Sequence, residues 1–347
     1  MMLFTSDNWA GVHPKIMDAM IAANIGPVPA YGADELTQSV INQFTEMFGK
    51  KVDVAFVATG SAANSIALAA MLPPFGAVFC HEHAHIQIDE CGAPEFFTGG
   101  AKVLPLAGEG GKLTPAILEE GMRIYTPAMA HRVLPKAVSL TQGTEAGTVY
   151  TNVEIRALTA KARELGLYVH MDGARFANAA AHLGASPKEI VTDTGVDILT
   201  LGGTKNGCMV AEAIIVLNEA LSEHLVWRQK RAGQGFSKNR FLAAQWNAYF
   251  EDDLWLKLGA HANAMATRLG EGISAAGFEL VNETQINEVF PILPDAVVER
   301  LKEKGAAFYD WVQPGDPYDG KLRRLVTSYQ TSEQEVGAFL SALKELS

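Results

Sequence analysis

Between Val52 and Leu217 the sequence sets down short β-rich runs, "VDVAFVAT", "AVFC", "KVLPL", "AVSLT", "LYVHMD", "DILTLG" and "EAIIVL", with helical stretches between them. Each helix in such a series must return the chain across the sheet before the next strand begins, so the alternation implies an α/β domain with a mainly parallel sheet. In "NVEIRALTAKARELG" the residues Ile155, Leu158, Ala162 and Leu165 fall on one helical face. Asn152 is the expected N-cap and Gly166 the stop. After about Asn218 the pattern turns to long helical material. From Phe278 the alternation resumes in "FELV", "EVFPIL", "PDAVVERLKEKG", "AFYDWV", "LRRLVTS" and "SEQEVGAFLSALKEL", with "QPGDPYDG" as a turn-rich loop. The expected division is a large domain over 1–250, including the N-terminal segment, and a smaller C-terminal α+β domain over 251–347.

Composition narrows the class. With 347 residues, 48% of them hydrophobic, the chain can bury a large core. Its net charge of -11 and its dispersed basic residues argue against a nucleic-acid partner. No apolar run approaches the roughly 18 residues of a membrane span, and "MMLFTSDNWAG" lacks the basic and apolar regions of a signal peptide, so a cytoplasmic protein is expected. Cys80, Cys91 and Cys208 make no close ligand pair, which suggests reduced, mostly buried thiols.

The stretch "FCHEHAHIQID" matches HExxH through His81, Glu82 and His85. That zinc motif needs a helix to bring both imidazoles to one face. Here the first histidine follows the strand-like "GAVFC", and the positions of the longer motif hold Ile88 and Cys91 rather than Gly and His. No metal is expected.

Ligands of an open parallel sheet sit beyond the carboxyl ends of its strands. "VDVAFVATGSAANSIALAAML" reads as strand, tight turn and helix, so Gly60, Ser61 and Ala62 would offer backbone N–H groups to an anion, though the same residues suit a plain helix cap. "LYVHMDGARF" ends a strand in Asp172, followed by Arg175. "DILTLGGTKNG" ends another in Gly202 and Gly203, then Thr204 and Lys205. A phosphate cradle, an aspartate and a lysine on strand ends together meet the needs of pyridoxal 5'-phosphate, whose aldehyde bonds to a lysine and whose ring nitrogen must stay protonated.

With "SDN", "AYG", "ATGSAANSIAL", "HAHIQIDECGAPEFF", "YVHMDGARFANA", "GGTKNG", "RQKRAGQGFSKNRFLAA" and "RRLVTS" in this order, the sequence resembles the low-specificity L-threonine aldolases, within the fold type I pyridoxal phosphate enzymes, over nearly its whole length. The resemblance implies a two-domain, transferase-like subunit in a homotetramer, a dimer of dimers with active sites at subunit interfaces. It makes Lys205 the lysine bonded to the cofactor, Asp172 the ring-nitrogen partner, His85 the imidazole stacked on the ring, and Gly60, Ser61, Ala62 and Thr204 further cofactor contacts. Lys230 or Lys238 would help hold phosphate from a neighbouring subunit. Ser6, Arg175 and Arg324 would bind the substrate carboxylate, Arg175 would contact the cofactor as well, and Tyr31 would reach the site from the partner. Many relatives carry a histidine where "TQGTEAGTVY" has Thr144 and Glu145, which leaves Glu145, His85 or a water as the base. The implied reaction is reversible retro-aldol cleavage of the Cα–Cβ bond of L-threonine and related β-hydroxy-α-amino acids to glycine and an aldehyde. The alternatives are a pyridoxal-phosphate-dependent β-eliminating lyase acting on serine- or cysteine-like amino acids, a zinc hydrolase and a non-catalytic binding protein.

Overall fold

The first strand of the main sheet follows two amphipathic helices that the N-terminal segment lays down beforehand. A computed structural model describes residues 2–125, 130–311 and 317–346. The chain runs through β1 (Met2–Leu3), α1 (Pro14–Ala22), α2 (Glu35–Phe48), β2 (Asp53–Val57), α3 (Gly60–Met71), β3 (Gly76–His81), α4 (His85–Ile88), α5 (Ala93–Thr98) and β4 (Lys102–Leu106). It continues through α6 (Pro115–Ile124), β5 (Leu134–Thr141), α7 (Asn152–Glu164), β6 (Tyr168–Gly173), α8 (Phe176–Leu183), β7 (Ile198–Gly202) and β8 (Glu212–Val216). The rest comprises α9 (Leu225–Arg231), α10 (Arg240–Phe250), α11 (Leu254–Ala275), β9 (Glu288–Val289), α12 (Asp295–Glu303), β10 (Ala306–Ala307), β11 (Tyr309–Asp310), β12 (Arg323–Val326) and α13 (Glu333–Lys344).

Seven strands form the main sheet in the order β2-β8-β7-β6-β5-β3-β4, so every strand expected between Val52 and Leu217 is present and the fold is α/β. Pairing is parallel from β7 across to β4, and β8 alone runs antiparallel to both its neighbours. The ends of β3, β5, β6, β7 and β2 therefore share one edge of the sheet with the start of β8. One face is covered by a core that includes Phe44, Phe56, Phe79, Leu158 and Trp246. The other is covered by α3 through Ala63, Ile66 and Leu68 against Val78, Ile198 and Ile214.

Helix α7 differs from expectation at its start. Thr151 is the N-cap, in a capping box with Glu154, because its hydroxyl accepts the Glu154 N–H while the Glu154 carboxylate accepts the Thr151 N–H. Asn152 is already inside the helix. "FELV" contributes only an isolated bridge, Leu280 to Pro291, rather than a strand. Of "QPGDPYDG", 313–316 lie outside the described residues.

The expected division at residue 250 also differs from the packing. The first half of α11 places Leu254, Trp255 and Leu258 in the large core. Its second half places Met265, Leu269 and Ile273 in a separate core with Val289, Leu325 and Phe339. Met2 and Phe4 join that second core, because β1 pairs with β10. The two cores thus meet within α11, and the N-terminus belongs to the C-terminal layer. Among the described residues no helix is long and apolar enough to cross a membrane.

Candidate active site

The shared sheet edge opens into a cleft of about 260 Å³. Its wall includes Gly60, Ser61, His85, Glu145, Asp172, Arg175, Thr204 and Lys205, so most of the residues singled out in the sequence converge here. Gly202 makes this convergence possible: a Cβ there would lie 3.0 Å from the Ala174 backbone and from a Glu212 carboxylate oxygen.

The start of α3 faces the cleft. Thr59 caps the helix, and its hydroxyl accepts the Ala62 N–H at 3.2 Å. Ala62 is therefore not an open donor as expected. No partner engages the N–H groups of Gly60 and Ser61 among the described residues, so those two remain at the positive end of the helix for an anion.

Asp172, at the end of β6, is buried and accepts hydrogen bonds from the Ala174 N–H and from Asn64 Nδ2, at 2.9 and 2.8 Å. Asn64 donates its other hydrogen to Glu90 at 2.8 Å. Glu90 also faces His85 Nδ1 at 2.9 Å, and this contact raises the imidazole pKa against the opposing effect of burial. Burial raises the Glu90 pKa in turn. Lys205 lies in the short turn after β7 and makes no hydrogen bond or ion pair among the described residues. A lysine amine pointing into a lined cleft without a carboxylate partner is available to react.

Glu145 is the other distinctive group. Its Oε1 accepts the His85 N–H and the Thr141 hydroxyl, each at 2.9 Å. Its Oε2 is buried with no partner. Burial, helped by the charge of Asp172, pushes its pKa up to about 7. Glu212, the first residue of β8, is pushed by burial to about 7 as well.

The two arginines differ sharply. Arg175 donates to both carboxylate oxygens of Asp7, at 2.8 and 3.2 Å, and pairs with Glu288 at 3.3 Å. Burial opposes its charge, but Asp7 and Glu288 hold its pKa above the ordinary value. Burial alone would raise Asp7, yet Arg175, Lys205 and Asn287 hold it low. Arg324, on β12, is not among the residues that line the cleft and has no carboxylate ion pair among the described residues: its Nε is buried and unbonded, and the guanidinium lies 4.0 Å from the Trp311 ring centroid and 5.7 Å from that of Tyr309. Burial lowers its pKa, against the pull of Glu288. The adjacent Arg323 is buried on the other side of the strand against Asp295 and Asp310.

Some expected residues lie elsewhere. The Ser6 hydroxyl caps the short turn Asp7–Trp9 by accepting the Asn8 N–H, and Asn8 rather than Ser6 lines the cleft. Tyr31 is 64% exposed, with Lys230 Nζ 4.9 Å from its ring centroid, and both line a separate cleft of about 480 Å³. Thr144 is buried in the loop after β5, where its hydroxyl meets Gly110 and Thr148. His81 ends β3, with Nε2 2.9 Å from the Gly108 carbonyl and Nδ1 accepting the His83 N–H. Both ring nitrogens are thus engaged, and His85 starts a different element, so the HExxH match is not a helical pair. No group of three or more His, Cys, Asp or Glu side chains among the described residues is placed to hold a metal.

Asp7, Asn8, Asn64, Glu90, Thr200 and Glu212 escaped the sequence reading. Only Asn64 left a signal there, as a polar residue inside the apolar helix "GSAANSIALAAM".

The donors present fit pyridoxal phosphate: two open helix-start N–H groups, an unpaired lysine and a buried aspartate share one cleft. The fold and site define a fold type I pyridoxal phosphate enzyme. The model of the beta-eliminating lyase family matches residues 4–296, and the chain belongs to that family. The low specificity L-threonine aldolase of Pseudomonas aeruginosa is 44% identical over 334 residues, covering 96% of this chain and 94% of the relative. That of Pseudomonas sp. strain NCIMB 10558 is 42% identical with the same coverage. Among solved structures, the Leishmania major threonine aldolase superposes with a TM-score of 0.93 at 33% identity, covering 100% of this chain and 99% of that one. Thermus thermophilus aspartate aminotransferase shares the fold, with a TM-score of 0.70 at 18% identity, covering 100% and 92% of the two chains.

Proposed function

We propose that this chain is an aldehyde-lyase that cleaves L-threonine and related β-hydroxy-α-amino acids, reversibly, to glycine and an aldehyde. The observation that carries this reading is Glu145: a buried carboxylate with one unpaired oxygen, in the same cleft as Lys205 and Asp172. The names of the Pseudomonas and Leishmania relatives support it.

Pyridoxal phosphate bound here supplies a covalent attachment for the amino group and an electron sink for the bond broken at Cα. Lys205 provides the attaching amine. Asp172 would hold a proton on the ring nitrogen, Gly60 and Ser61 would receive the phosphate, and His85, fixed by Glu90, would lie beside the ring. Thr204 borders the attachment point. Arg324 binds the substrate carboxylate with the guanidinium fork that suits a planar anion, while Arg175, held by Asp7 and Glu288, fixes the wall beside it. Glu145 would accept the β-hydroxyl proton, and the bound cofactor would supply the sink for the electrons of the Cα–Cβ bond. A carboxyl group with a pKa near 7 suits that transfer near neutral pH.

Tyr31 and Lys230 act on a partner's site in this proposal, within a cytoplasmic homotetramer whose interfaces carry the active sites. Ser6 acts on the substrate only through the turn that places Asp7 and Asn8.

Mixing the cofactor-loaded protein with L-threonine tests the reading. Acetaldehyde and glycine in equal amounts, absent with Lys205→Ala, are expected. Ammonia and a keto acid without aldehyde would instead establish β-elimination.

A further inference from the structure

Asn64 lies on the inner side of α3, 1% exposed, and its side chain is fully bonded. Nδ2 donates to Asp172 Oδ2 and to Glu90 Oε1, both at 2.8 Å. Oδ1 accepts the Thr200 hydroxyl at 2.7 Å. One amide therefore serves two carboxylates: the one assigned to the cofactor's ring nitrogen and the one that fixes His85.

An asparagine amide can turn over and exchange its oxygen for its nitrogen. Turned over here, its carbonyl oxygen would face two carboxylates, and its NH₂ would face the Thr200 oxygen. The Thr200 hydroxyl has a single hydrogen. Its acceptors are Asn64 Oδ1 at 2.7 Å and, less closely, the Met171 carbonyl at 3.4 Å. When that hydrogen goes to Asn64, the contact from Thr200 Oγ1 to His170 Nε2, at 3.4 Å, requires the ring nitrogen to be the donor. His170 Nδ1 then accepts the Ser139 hydroxyl at 2.8 Å. His170 is fully buried, and burial depresses its pKa to about 4, so one proton on the ring is the expected state.

We propose that Ser139, His170, Thr200 and Asn64 form a one-way hydrogen-bond relay, in which the Thr200 hydroxyl anchors Asn64 Oδ1 and Asn64 positions Asp172 and Glu90 together. Every hydrogen in the relay points toward the carboxylates. Reversing one link would leave a buried polar group unpaired, and chains of this kind reinforce one another in a dry interior. Thr200 and Asn64 are thus positioning residues for both ring contacts. The inference rests on the reading of the cleft as a pyridoxal phosphate site.

Thr200→Val keeps the shape of the side chain and removes only the hydroxyl, and Thr200→Ser restores it. Each full-length variant is stripped of cofactor and titrated with pyridoxal phosphate, following the visible absorbance, and the melting temperature of the cofactor-free protein is recorded. Loss of one hydrogen bond to a charged network, about 1.5 kcal/mol, weakens binding roughly tenfold in Thr200→Val. Thr200→Ser should stay within about twofold of the parent by the same reasoning and melt like it, whereas Thr200→Val, which leaves Asn64 Oδ1 and His170 Nε2 without this partner, should also melt lower. Asn64→Asp, which replaces the shared donor by a third carboxylate, should weaken binding further. Parent-like binding by Thr200→Val would overturn the relay. Equal weakening in the Val and Ser variants would also overturn it, by showing that packing is responsible. Failure of the parent chain itself to take up pyridoxal phosphate would overturn the reading of the site.

Discussion

The ring side and the carboxylate side of the cleft are built on opposite plans. On the ring side, Asn64, Asp172, Glu90 and His85 are joined by hydrogen bonds of 2.8–2.9 Å, each group held by a neighbour from another element. On the side assigned to the substrate carboxylate, Arg175 is paired with Asp7 and Glu288, whereas Arg324, which is not among the residues lining the cleft, has no carboxylate ion pair among the described residues and lies against the Trp311 and Tyr309 rings. In the proposed reading the ring side would hold a permanent group, for which fixed geometry is an advantage. In the same reading the carboxylate side would admit and release a substrate at every turnover, and a guanidinium already paired with protein would have to break that pair first. Stacking on Trp311 and Tyr309 orients Arg324 without occupying its donors.

This contrast predicts that changes near the ring alter turnover and that changes around Arg324 alter KM. The largest effect belongs to Glu145→Gln, which keeps the shape but removes the base: kcat should fall by about 10²–10⁴. In the parent enzyme kcat/KM should rise with pH through about 7, as the carboxyl ionises, and the variant should lose that rise. Stability moves the other way. The folded carboxyl has a pKa above its ordinary 4.5, so its contribution is fully present below about 4.5 and is lost as pH rises through about 7. Melting curves of the cofactor-free parent and variant against pH would check this, with the variant gaining on the parent across that window.

Next in size is Arg324→Lys, which keeps the charge but loses the fork. KM for L-threonine should rise about tenfold, from roughly 1.5 kcal/mol of charged hydrogen bonding, with kcat nearly kept. A collapse of kcat with unchanged KM would dissolve the distinction between the two sides. The smallest effect is that of Trp311→Leu, where loss of a cation–π contact worth about 0.5–1 kcal/mol should raise KM two- to fivefold. Steady-state kinetics on the three variants would rank them.

The α/β layout was legible because each sheet strand is a short apolar run bounded by turn residues. The strand ends carrying Asp172 and Lys205 were legible because both follow such runs directly. Met2 and Phe4 could not be placed in the second core from the sequence, since their pairing spans nearly the whole chain. The link from Thr200 through Asn64 to Asp172 was invisible for the same reason: its members lie more than 100 residues apart in sequence. The Tyr309–Trp311 stack under Arg324 likewise depends on antiparallel pairing of β11 with β12. The HExxH match shows the reverse hazard, a local pattern whose required helix does not form.

The central claim is that Lys205 is the residue bonded to the cofactor. Borohydride reduction of the pyridoxal-phosphate-loaded protein, followed by peptide mass mapping, tests it most directly. A phosphopyridoxyl group is expected on the peptide containing Lys205, and none after Lys205→Ala. A label on Lys230 or Lys238 instead, or no label in a protein that binds the cofactor, would contradict it.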